Sequence, residues 1–115
     1  MTDFSPGDVI NFRYYWFPHD AVVIKVQYPE TIKCEVVHYN YDGVFGTRTI
    51  VEESFIFKLS DQNVFVHDYS DKDVYKQDEV VKRARSRIGE QKLNPFTNRS
   101  NHLANWCKIK QSDQT

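Results

Sequence analysis

Four histidines and two cysteines are the side chains of this chain whose chemistry suits proton transfer, nucleophilic attack or metal binding. His19 follows Pro18 and opens an apolar run, a place where a lone histidine by itself means little. His38 alternates with Cys34 and Val36 along a second run, so it reads equally as a satisfied core histidine. His67 stands beside Asp68 at the end of a short apolar segment and reads as a surface residue. Cys34 and Cys107 belong to no Cys-x-x-Cys pair, and no carboxylate lies at ligand spacing from the histidines. That pattern implies no metal site and no cofactor. Both thiols fall on apolar positions and read as buried structural groups.

The elements that must carry these residues follow from periodicity. Ser5-Pro6-Gly7-Asp8 is a turn signal, and Val9 to Tyr14 alternates as a strand. Phe17-Pro18-His19-Asp20 reads as a break, because proline cannot donate to a ladder. Ala21 to Val26 is a continuous apolar strand of a sheet centre, and Tyr28 to Thr31 a turn. Ile32 to Tyr41 alternates, with Ile32, Cys34, Val36 and His38 on one face. Asp42-Gly43 marks a hairpin, and Thr47–Val51, Ser54–Leu59 and Val64–His67 read as further short strands. The composition then changes. Asp78 to Gly89 places Val80, Val81, Ala84 and Ile88 at helical spacing, and Gly89 suits the helix end. After a loop with Pro95, Ser100 to Lys110 reads as a second helix with Leu103, Trp106 and Cys107 as its apolar stripe and Ser100 as its N-cap. The class is α+β: an antiparallel sheet or partly closed barrel followed by two C-terminal helices, in one domain over residues 1–115.

Bulk composition narrows the function classes. Apolar residues make up 40% and aromatic residues 15%, which is a globular composition. With 15 basic and 16 acidic residues the net charge is −1, which argues against nucleic-acid binding. The basic run Lys82 to Arg87 falls on the first helix and reads as a solvated face. No apolar stretch reaches the roughly 18 residues of a membrane helix, and the N-terminus has no signal-peptide core. The expectation is a cytoplasmic protein with no stable membrane insertion.

Five pieces of the chain, in order, carry a resemblance. They are Gly7-Asp8-Val9-Ile10, His19-Asp20-Ala21-Val22-Val23-Ile24, Val36-Val37-His38-Tyr39, the segment Glu79 to Glu90, and Thr97 to Lys108. Together they resemble the lecithin retinol acyltransferase (LRAT)-like, or H-box/NC, family over nearly the whole length. The resemblance implies a circularly permuted relative of the NlpC and papain-type fold. It also implies thiol chemistry, in which a thiolate attacks an acyl ester and the thioester passes to water, an amine or an alcohol.

On that resemblance His19 takes the place of the activating base, His38 that of the supporting polar group, and position 100 that of the nucleophile. His102 matches a motif histidine read as structural. The family has a cysteine where this chain has Ser100. A helix N-terminus and a neighbouring imidazole bring a thiol to thiolate near neutral pH, but leave a serine hydroxyl protonated. Arg99, Asn101 and Leu103 also depart from the family's Asn, Glu and Phe, so the segment reads as a decayed motif rather than a single replacement. The expectation is a catalytically defective domain that binds or scaffolds a protein or peptide, with lipid as the other partner class. The alternative is weak serine-dependent acyl transfer or hydrolysis by Ser100 with His19 and His38. Of the aromatic run Tyr14-Tyr15-Trp16-Phe17, half should face the core and half could form a contact patch. Tyr15, Phe17 and Arg99 are the candidate binding residues.

Overall fold

In a computed structural model, the chain folds as an open antiparallel sheet with two helices on one of its faces. The structure describes residues 4–15, 17–27, 31–40, 48–58, 63–92 and 100–110, with backbone alone at 31, 92 and 100. In chain order the elements are β1 (Val9–Tyr14), β2 (Phe17–Gln27), β3 (Thr31–Asn40), β4 (Arg48–Lys58), β5 (Phe65–Val66), α1 (Gln77–Ser86), β6 (Gln91–Lys92) and α2 (Ser100–Lys108). The spatial order is β5-β1-β2-β3-β4-β6. Trp16, the Asp42-Gly43 turn, the turn near Pro29, the Pro95 loop, Arg99 and the capping side chain of Ser100 lie outside the described residues.

Strand alternation divides the apolar residues into two cores. Val9, Val22, Ile24, Val37, Tyr39 and Ile50 point to one face, where Val80 and Ala84 of α1 and Leu103, Ala104 and Cys107 of α2 cover them. Ile10, Phe12, Ala21, Val23, Ile32, Cys34, Val36 and Phe57 point to the other face, together with Phe4 and Val64. Among the described residues, no helix residue belongs to this second core. The sheet covers it largely by curling. In a flat sheet β1 and β4 would stand about 14 Å apart, at roughly 4.8 Å per strand. Yet the Phe12 ring lies 5.0 Å from that of Phe55 and 5.4 Å from that of Phe57. A register shift between Val23 and Lys25 adds to the bend of β2.

Several sequence expectations change. Pro18 does not end a strand. It is the second residue of β2, opposite Arg13, and β3 joins β2 only from Val22 onward, so the missing N–H has no ladder partner to disappoint. The two short strands expected at 47–51 and 54–59 are one strand, β4. The pair Glu52-Glu53 does not break it, because the two carboxylates point to opposite faces and each finds a partner, Arg85 and His38 respectively. β5 is two residues long, and β6 was not anticipated.

α1 stops at Ser86 rather than Gly89, and Ile88 is exposed rather than on the packed face. Gly89 has φ 99° and donates its N–H to the Ile50 carbonyl, tying the helix exit to β4. α2 spans Ser100–Lys108. His102, expected to be structural, is exposed. The basic run is not simply solvated. The Arg83 guanidinium lies 3.9 Å over the Trp106 ring and 4.4 Å from Tyr75, and donates to the Trp106 carbonyl. Arg87 approaches Trp106 from 4.7 Å and forms a two-pronged pair with Glu90.

Gly7 is fixed by geometry. Its φ is 89°, and a Cβ there would stand 2.8 Å from the Gln77 Cα at the head of α1. Its N–H donates to Val23, and its carbonyl accepts from Lys108 Nζ at 3.0 Å.

Candidate functional site

His19 and His38 sit on strands that share a face, with the same parity as Ala21 and Val36 respectively. Their rings meet at 2.8 Å, His19 Nε2 to His38 Nδ1. The other nitrogen of His38, Nε2, lies 2.7 Å from Glu53 Oε1. A carboxylate can only accept, so His38 carries its proton on Nε2 and presents its bare Nδ1 to His19 Nε2. The result is a hydrogen-bonded ladder across β2, β3 and β4, from buried His19 and His38 to half-exposed Glu53. Phe12, Tyr14 and Phe55 wall it in. Tyr14 lies 4.8 Å from the His19 ring and 5.0 Å from the His38 ring, Phe12 5.6 Å from His19, and Phe55 5.3 Å from His38.

Burial dominates the electrostatics of the pair. It pushes His19 down to about 3, with the charges of His38 and Arg48 adding to the effect and a backbone hydrogen bond with Tyr39 opposing it. Burial also lowers His38, against the pull of Glu53. Both imidazoles are therefore neutral at physiological pH. Neutral His19 is a weak base, with its Nε2 already committed to His38.

The α2 helix, which begins at position 100, packs through Leu103, Ala104 and Cys107 against Val22 and Ile24. Those residues alternate with Ala21 and Val23, which share the face of His19. The structure thus brings His19 and His38 together and sets α2 on the opposite side of the sheet. The two thiols add no nucleophile. Burial raises Cys34 to about 11 and Cys107 to about 12, and both are free and fully covered.

A second polar cluster lies on the helix side, and sequence reasoning missed it. Asp20 accepts from Asn11 Nδ2 at 2.8 Å and from His67 Nε2 at 2.7 Å. His67 is half-buried, not a surface residue, with its side chain 32% exposed. Tyr69 continues the cluster, donating to Asn105 Oδ1 of α2 at 3.2 Å, and burial raises its phenol. The available signal was alternation: if His19 faces one way, Asp20 faces the other.

Of the candidate contact residues, Tyr15 and Phe17 are each 61% exposed at the β1–β2 hairpin. Tyr15 has φ 50°, the left-handed conformation that tight hairpin turns need and that Asn or Gly usually supplies. Its ring packs edge-on to Tyr14 at 4.7 Å. No helix among the described residues is long and apolar enough to cross a membrane. Compared with known proteins, the chain matches no family model and no curated sequence.

Proposed function

We propose that this chain is an LRAT-like, permuted papain-type domain that acts as a binding or scaffolding module for a protein or peptide, without acyl-transfer chemistry. The observation that carries the reading is the sheet standing between α2 and the imidazoles of His19 and His38. A nucleophile presented at the start of α2 has no general base on its own side from that pair. The low basicity of buried His19 works in the same direction. The contact surface of the module is the hairpin tip. Two large aromatic side chains stand in solvent there, beside a backbone held in a conformation unfavourable for tyrosine.

The test is labelling by a serine-directed fluorophosphonate, run beside turnover assays on phospholipid and thioester substrates. The expected result is no labelling above that of His19→Ala, no turnover, and no revival in Ser100→Cys. Labelling of Ser100 that His19→Ala abolishes would establish the serine acyl-transfer alternative instead. Co-sedimentation with liposomes separates the partner classes: a hairpin that contacts protein leaves the chain in the supernatant, and one that contacts lipid pellets it unless Tyr15 and Phe17 are replaced by Ser.

A further inference from the structure

The outer edge of β4 is a strand template. β3 and β4 pair in unbroken register from Thr31↔Lys58 to Asn40↔Thr49, so β4 has no bulge. Ile50 donates its N–H to Glu90 and accepts from Gly89, on the side away from β3. Backbone groups alternate in direction along a strand, so Glu52, Ser54, Ile56 and Lys58 aim their N–H and C=O outward in the same way. β6 pairs only with Arg48 and Thr49. Among the described residues nothing continues that pairing past Ile50. The edge holds no proline, and Ile56 is 68% exposed along it. An open edge of this length with an exposed apolar residue is a surface for another strand.

The sequence of the edge selects the partner. We infer that β4 pairs antiparallel with β4 of a second copy of this chain, about a two-fold axis through Phe55, joining two sheets edge to edge. In that register Glu52 faces Lys58 of the second copy, Ser54 faces Ile56, and Phe55 faces Phe55. The outward-directed residues meet one another, as the hydrogen-bonded pairs of an antiparallel ladder must. The two-fold makes the interface self-complementary. Both charged pairs are opposite in sign, at the two ends of the seam. Glu52 already accepts from Arg85 Nε at 3.1 Å, and Lys58 of the second copy adds a second cation to that carboxylate. The exposed Ile56 gains its own copy as a diagonal neighbour on the same face, within reach for long side chains. The dimer stands on the backbone of β4 and holds whether or not the His19–His38 face is chemically silent.

Sedimentation equilibrium on the intact chain and two charge reversals tests the pairing. The unaltered chain is expected to dimerise. Lys58→Glu sets Glu against Glu twice, and Glu52→Lys sets Lys against Lys twice. Each alone should weaken the dimer about tenfold or more, from roughly 0.7 kcal/mol at each of two symmetric pairs. Mixed together, the two variants regain both attractive pairs and should form a heterodimer as tight as the original. A structural defect in either variant could not produce that cross-rescue. Ser54→Pro removes one outward N–H without touching the β3 ladder and should also weaken the dimer. A chain that stays monomeric at every soluble concentration overturns the inference. So does a dimer indifferent to both reversals, or a mixture that fails to recover.

Discussion

His19 and Asp20 are neighbours in the chain, yet they serve opposite faces of β2, and each is bound to a different histidine. His19 is hydrogen-bonded to His38 on the curled face, and Asp20 accepts from His67 on the helical face. One dipeptide thus anchors a polar network in each of the two cores.

The His19 side sets a pH dependence. Its folded-state value of about 3 lies below the unfolded value of 6.5. Between those limits the unfolded chain binds the proton and the folded chain does not, so stability is complete above pH 6.5 and falls as pH drops toward 3. The loss across that window is on the order of 3–5 kcal/mol. Urea titrations at stepped pH should record it, and His19→Leu should flatten the slope in the same window.

Removing one member of the ladder should cost more than removing both. His38→Leu strands the buried His19 Nε2 without its partner in an apolar setting and should destabilise by about 2–3 kcal/mol. Glu53 loses less, because it is half-exposed and reaches water. His19→Leu combined with His38→Leu replaces both partners with apolar groups and should cost less than the sum of the singles. A double-mutant cycle by chemical denaturation gives the coupling directly.

Arg83 is expected to act through its planar group rather than its charge. It stacks on Trp106 and Tyr75 while donating from two nitrogens to one carbonyl. Arg83→Ala should cost about 1–2 kcal/mol, and Arg83→Lys should recover only a minor part of that. Thermal unfolding of the pair, followed by Trp fluorescence, reads both effects.

The two left-handed glycines should differ. Gly89→Ala meets no atom within 4 Å and should cost only the backbone strain, about 1–2 kcal/mol. Gly7→Ala adds a collision with the backbone of Gln77 and should cost well over 2 kcal/mol, or prevent folding. Midpoints of denaturation for the two variants, compared side by side, give the difference.

The α+β class, the antiparallel sheet and the two helices were legible because β1, β3 and α2 have clean periodicity and Ala21 to Val26 is an unbroken apolar run. The approach of His19 to His38 was foreshadowed by their places on adjacent strands. Other features were not legible, for definite reasons. Alternation separates two faces of a strand but does not say which face the helices will cover, and that choice sets α2 across the sheet from His19. Glu52-Glu53 looked like a break because the partners that neutralise it, Arg85 and His38, are remote in sequence. His67 is bound not by the adjacent Asp68 but by Asp20, across 47 positions that periodicity cannot bridge. β6 is too short for periodicity to register.

The clasp of Gly7 by Lys108 reaches across 101 positions of the chain. Gly7 also rests against Gln77, and the N–H of Tyr75 bonds to the Lys108 carbonyl. On the ribosome, the turn at Gly7 therefore waits for α2, 101 positions later, before it can be locked. Closure of this kind is non-local, and its entropic cost is met late, so folding should be slow for a domain of this size. Until α2 emerges, the Val9, Val22 and Val37 face of the nascent sheet stands uncovered by that helix.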